Sequence, residues 1–250
     1  MSRNINQDEG LIRPKKRKSD PDVGPDTIMV MIPSDLDFLV KTSHAQKIPC
    51  VDTNFFDLYQ TKGGAKGSLT ISGSFLGAPQ AVMGMEKLIA LGAKRIWVLG
   101  WCGSLQKNLR IGDLVIPVRA LCEEGTSQHY PIGKKRAETE EELNQMLEDG
   151  LKRKGQSFIR GSVWTTDAPY RETPVKVRGY QKKSILAVEM EMSALITVAI
   201  YRTVKLAGLL VVSDELFDLK WLSGFSNPKL VKTSHMAGER LLSLVESLNP

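Results

Sequence analysis

Apolar positions along the chain follow two rhythms. Continuous β-branched or aliphatic runs occur at TIMVMI (Thr27–Ile32), RIWVLG (Arg95–Gly100) and LAGLLVVSDEL (Leu206–Leu216). Runs of this length predict strands covered on both faces. SLTISG (Ser68–Gly73), DLVIPV (Asp113–Val118) and FIRGSVWTTD (Phe158–Asp167) predict three more, with Pro117 marking an edge or bend. Between them the spacing becomes helical. Pro79 suits a first turn, Val82, Met85 and Ile89 share a face, and Gly92 is placed to end the helix.

Further helices are predicted over TEEELNQMLEDGL, with Thr139 and Glu142 as a capping box, and over VEMEMSALITVAIYR. A last one begins near Pro228 and runs through ERLLSLVESL. Strand, helix and strand following within about thirty residues is the βαβ signature. The expected fold is therefore a single α/β domain over residues 27–250: a three-layer sandwich with a mixed central sheet flanked by helices. No internal repeat appears. The cluster KGGAKG (Lys62–Gly67) lacks the GxxxxGK[ST] spacing of a phosphate loop and reads as a hairpin or tight turn.

Composition adjusts this picture little. A hydrophobic content of 42% in 250 residues supports a sizeable core. No stretch approaches the roughly 18 uninterrupted apolar residues of a membrane span, and MSRNINQDEG lacks a secretory apolar region. Cys50, Cys102 and Cys122 show no metal-ligand spacing, so free thiols in a cytoplasmic protein are expected. The net charge is +6, and five basic residues lie in RPKKRK (Arg13–Lys18). The remainder is nearly neutral, and residues 1–26 are expected to form a basic, flexible tail. No aromatic residue interleaves the run as a base-stacking platform would require, so a nucleic-acid partner is not expected.

Ligands of open α/β sheets bind beyond the carboxyl ends of strands, and three such ends are chemically loaded: WVLGWCGS, SVWTTDAPYRE and LLVVSDE. AVEMEMSAL followed by LLVVSDEL resembles the nucleoside phosphorylase superfamily, which includes purine nucleoside phosphorylases, uridine phosphorylases and methylthioadenosine nucleosidases. GAPQAVMGMEKLIALGAKRIWVLGWCGSLQKNLRIGDLVIP is similar to that family's central block, and EEGTSQHYP to the segment that follows it in the uridine phosphorylase branch.

The resemblance implies cleavage of a nucleoside's N-glycosidic bond. It places Glu191 on the ribose hydroxyls, where a carboxylate favours the developing oxocarbenium charge, with Met190 lining the sugar face. Glu189, two residues earlier, points about 200° away on a regular helix and is expected to cap backbone N–H groups. Asp214 matches the acid that purine-cleaving members use at the leaving base. Such an acid needs its pKa raised, by burial or by a neighbour such as Glu215. The competing reading of Asp214 is a strand-end cap for the next helix. TTDAPYRET matches the base-pocket segment, with Tyr170 as the stacking residue unless it is an exposed loop tyrosine. Asp167 and Arg171 would bond the base edge or pair with one another. Gly100, Trp101 and His129 complete the expected substrate contacts. The family's usual assembly implies a homo-oligomer, dimer or hexamer.

The chain departs from the family at the phosphate. Ser34 and Phe38 stand for the expected glycine and arginine, Val98 and Trp101 for the next arginine and hydroxyl, and a third arginine falls near Phe55. An anion needs charge-assisted donors, so water is favoured slightly over phosphate as acceptor, with phosphate remaining a possible cosubstrate. No cofactor or metal is expected. Asp35 and Asp37 lie near the position of the nucleosidases' water-orienting glutamate without matching it. The alternative is a non-catalytic nucleoside-binding or sensor protein that keeps the pocket.

Overall fold

The computed structural model describes residues 10–50, 55–62 and 68–248. In chain order the elements are β1 (Asp26–Val30), α1 (Pro33–Thr42), β2 (Gln46–Lys47), β3 (Asp57–Gln60), β4 (Thr70–Gly73), α2 (Ala78–Leu91), β5 (Arg95–Ser104), β6 (Leu114–Glu123), α3 (Glu141–Lys152), β7 (Ile159–Thr166), α4 (Pro174–Lys182), β8 (Ala187–Glu189), α5 (Met192–Arg202), β9 (Lys205–Glu215), β10 (Leu222–Ser223) and α6 (Pro228–Leu248). The turn expected over the glycine cluster lies, Lys62 apart, outside the described residues.

One mixed sheet runs β10-β9-β6-β7-β8-β5-β1-β4-β3-β2, and a further β9–β5 pairing closes its middle part on itself. The strands alternate their side chains between two cores, as the period of two requires. Met29, Val98 and Leu210 pack under α2 and α5 on one face. Ile28, Trp97 and Leu209 pack under α1, α3 and α6 on the other. The arrangement is the expected central sheet flanked by helices. Ahead of β1, Arg13–Lys18 are exposed, while Asp20 is buried against Lys87 of α2 at 2.8 Å.

Several local readings need correction. RIWVLG does not stop at a glycine-rich turn: β5 continues through GWCGS, with a register shift between Cys102 and Gly103 against β9. The helix expected from Val188 is divided, since Ala187–Glu189 pair with both β5 and β7 before α5 begins at Met192. The capping box at Thr139 and Glu142 is absent. Glu140 is the N-cap, Thr139 Oγ1 donates to the Pro117 carbonyl, and Glu142 pairs with Lys205. Pro117 does mark a bend, at the register shift between β6 and β7.

Candidate active site

The carboxyl ends of β1, β4, β5, β8 and β9 converge on a cavity of about 700 Å³. The chain has just left β1 at Met31 and Ile32, and β5 supplies Trp101 and Cys102 from the stretch around its register shift. Ser213 and Asp214 come from the end of β9, and Glu189 from the end of β8. Phe75 and Leu76 follow β4, and Gln80 stands in the first turn of α2. Leu76 N–H donates to Gln80 Oε1 at 2.7 Å, which fixes that turn against the cavity wall.

The two glutamates that interrupt AVEMEMSAL have different surroundings. Glu189 ends a strand, and its Oε2 accepts the N–H groups of Glu191 at 2.7 Å and Met192 at 2.6 Å, while Thr165 Oγ1 donates to Oε1. It therefore caps the start of α5, as expected, though from a strand end and not from a helix. Glu191 is the N-cap residue itself and makes no side-chain cap bond. Its Oε1 reaches across to the N–H of Gly77, 2.6 Å away at the start of α2. Gly77 has φ +81°, a conformation that favours glycine. Burial raises the pKa of Glu191, and the neighbouring Glu189 raises it further. Burial likewise raises that of Glu189 against the three bonds it accepts. Behind them Glu124 is kept below its usual range by donors including Ser127 and Ser193, despite burial.

Asp214 sits at the other wall. Ser213 Oγ donates to its Oδ1 at 2.7 Å and Trp221 Nε1 to its Oδ2 at 2.9 Å. Burial raises its pKa, with a smaller push from Glu215, and those two bonds oppose the rise. Asp214 does not cap a helix: it lies within β9, paired with Ser223 of β10. Glu215, pointing the other way, takes the N–H of Ile111 and the Arg110 guanidinium.

Of the other residues singled out in the sequence, Met190, Tyr170 and Trp101 line the cavity. Tyr170 stands at its mouth, fully exposed. Gly100, His129, Asp167 and Arg171 are not brought into the lining. Gly100 faces Met31 and Leu210 in the interior. His129 is exposed on a short 3-10 turn (Ser127–His129), and Arg171 is exposed on another (Pro169–Arg171). Asp167 accepts the Gly125 N–H at 2.9 Å.

Among the lining residues to which the sequence assigned no role are Glu172, Trp221 and Phe225. Glu172 lay in the TTDAPYRET segment already singled out, as a second acid beside the tyrosine. Trp221 and Phe225 were visible as aromatic residues in a polar loop after VSDEL, but only the fold brings that loop over the cavity. Phe225 stacks on Trp101 at 6.0 Å and meets Trp221 edge-on at 6.0 Å. Trp101 Nε1 donates to Ser234 Oγ at 2.9 Å, and Ser234 donates in turn to buried Asp35 at 2.5 Å. The positions expected to hold phosphate thus carry a tethered indole (Trp101), a core valine (Val98) and a phenylalanine (Phe38) stacked on His235 at 3.8 Å. No lysine, arginine or histidine is among the described residues lining the cavity.

Comparison with known proteins gives a consistent result. A family model described as the phosphorylase superfamily matches residues 27–247. A guanosine phosphorylase of Halorubrum lacusprofundi is 27% identical over 148 residues, 59% of this chain and 61% of the relative. A DeoD-type purine nucleoside phosphorylase of Bacillus cereus is 31% identical over 151 residues, 60% of this chain and 64% of the relative. The match thus spans less than two thirds of either relative's length. Among solved structures, purine nucleoside phosphorylase from Toxoplasma gondii in complex with immucillin-H superposes with a TM-score of 0.81 at 22% identity, covering 91% of this chain and 92% of that one.

Proposed function

The chain belongs to the phosphorylase superfamily, and from that premise we propose that it cleaves the N-glycosidic bond of a nucleoside carrying a purine-type base, with water ahead of phosphate as acceptor. One observation carries this reading: Glu191 and Asp214 face a single cavity that, among the described residues, has no cationic side chain in its wall. Glu191 belongs at the sugar, where a carboxylate attracts positive charge developing on the ribose. Asp214 belongs at the leaving base, and the relatives named for guanosine and purine nucleosides support a purine there. A phosphate dianion would meet carboxylates and indole in place of the guanidinium forks that hold such groups elsewhere. A cavity of about 700 Å³ suits a small-molecule ligand, within the ~300–1,000 Å³ typical of such sites.

The reading extends to a homo-oligomer, dimer or hexamer, and to a cytoplasmic setting. Leu76, Met83 and Phe55 are exposed around α2 and the cavity rim, which supports a covered face there. No helix among the described residues is long and apolar enough to cross a membrane.

The test is release of free base from a panel of purine and pyrimidine nucleosides, with and without phosphate. Purine release indifferent to phosphate is expected. Release that requires phosphate and yields ribose-1-phosphate would reverse the choice of acceptor. Nucleosides that raise the melting temperature without being cleaved would identify a binding protein. Glu191→Gln is expected to lower kcat/KM by on the order of 10²–10³, the usual loss of one electrostatic contact to the transition state.

A further inference from the structure

Apart from the pair at the start of α5, two carboxylic acids face the cavity, Asp214 and Glu172. Their surroundings differ in a way that bears on which of them carries a proton. Both oxygens of Asp214 already accept hydrogen bonds, from Ser213 and Trp221. Such donors favour the charged carboxylate. Glu172 follows the short turn after β7. It is half-buried, and no described group hydrogen-bonds its carboxyl. An unpaired acid in a sheltered cavity holds its proton more firmly than one with two donors upon it.

We propose that Glu172 is the acid that delivers a proton to the departing base, and that Asp214 remains a carboxylate beside it. This assignment rests on the nucleoside-cleavage reading and refines it. As the glycosidic bond breaks, its electron pair leaves with the base, and the Glu172 proton passes to a ring nitrogen so that the base departs neutral. Water adds its oxygen to the anomeric carbon and loses one proton, which restores Glu172 to its acid form. Nucleoside and water thus yield free base and ribose with no net change in the protein. Through that step the Asp214 carboxylate favours the positive charge on a base protonated before it leaves.

The electrostatics agree with the geometry. Burial, and then the negative charge of Asp214, push the pKa of Glu172 up to about 7. Asp214 of β9, Glu189 at the end of β8, Glu191 at the N-cap of α5, Cys102 of β5 and Tyr170 of its own loop line the same cavity. None of these neighbours is a cation. A general acid near neutrality is well matched to its task.

The experiment compares wild type, Glu172→Gln and Asp214→Asn on a purine nucleoside and on 4-nitrophenyl riboside, whose leaving group needs no proton, from pH 5 to pH 9. Glu172→Gln should lose about 10²-fold or more in kcat/KM on the nucleoside, yet stay within about tenfold of wild type on the nitrophenyl compound. That retained activity also shows that the variant folds. In wild type, nucleoside cleavage should fall as pH rises through about 7. The fall should vanish in Glu172→Gln and move to lower pH in Asp214→Asn, because removing a neighbouring negative charge lowers the pKa of Glu172. The opposite pattern, in which Asp214→Asn abolishes the fall and Glu172→Gln only moves it, would overturn the assignment. So would equal losses of Glu172→Gln on both substrates, or none on the nucleoside. A wild type that cleaves neither compound would instead remove the cleavage reading on which the assignment stands.

Discussion

At the residue scale, the cavity concentrates acids that the fold holds above their ordinary pKa. Burial is the largest cause at Glu172, Glu189, Glu191 and Asp214. A carboxyl whose pKa is raised on folding binds more protons folded than unfolded. Its contribution to stability is complete below the unfolded value, near 4.5 for glutamate, and is lost as pH climbs through the folded value. For Glu172 that window runs from 4.5 to about 7. The melting temperature should therefore fall between pH 5 and pH 8. Glu172→Gln should flatten the decline and melt higher than wild type at pH 8, by about 2–4 °C for each kcal/mol relieved in a domain of this size. A wild-type melting curve that rises over the same interval would contradict the burial argument. Below pH 4.5 the sign reverses, because Glu123 and Glu124 have pKa values lowered by their donors.

At the element scale, α2 reaches the site through Gln80 in its first turn, and its packing is unforgiving. Gly84 lies on its inner face, and a Cβ there would come within 2.2 Å of Phe75 Cε1. Phe75 is itself fully buried and lines the cavity. Replacing glycine by alanine in a helix gains about 1 kcal/mol of propensity, whereas overpacking a closed core costs about 1–3 kcal/mol. Gly84→Ala should therefore lower the melting temperature and, by displacing Phe75, weaken nucleoside binding. An unchanged melting temperature with unchanged affinity would show that Phe75 yields freely.

The same scale shows what the sequence made legible. Long apolar runs and the stripe of α2 had one physical explanation each, and the corresponding strands and helix formed where expected. Short elements carried no such signal. β3 has four residues, and α4 buries only Val177, so neither produces a periodicity that stands out from a loop. VEMEMSAL misled for a different reason. Its first two residues, Val188 and Glu189, belong to a strand held by β5 and β7, and that tertiary pairing overrides a helical pattern continuing into α5. At the site, Glu191 and Asp214 were legible because each belongs to a short motif. Glu172 was not, because its burial and its nearness to Asp214 of β9 arise only in the fold.

At the scale of the whole molecule, charge and shape are distributed unequally. The exposed basic run Arg13–Lys18 lies outside the cavity lining, while apolar Leu76 stands exposed at the rim of the acid-lined cavity. If that rim is covered by another copy of the chain, Leu76→Glu should reduce the mass in solution measured by light scattering and lower activity with it. A wild-type protein already monomeric at the assay concentration would dispose of the idea.

Two of the four tryptophans, Trp97 and Trp164, are sealed in the interior, and the other two line the cavity. Trp101 is tethered from below through Ser234, whereas Trp221 is 64% exposed and holds Asp214 by its indole N–H. Indole emission depends on solvent contact and on the charge at its nitrogen, so on the proposed reading a base settling against Asp214 should change the colour and intensity of Trp221 while the interior pair supplies a constant background. Such a change would serve as an optical gauge of occupancy, one that reads whether or not a bond is broken.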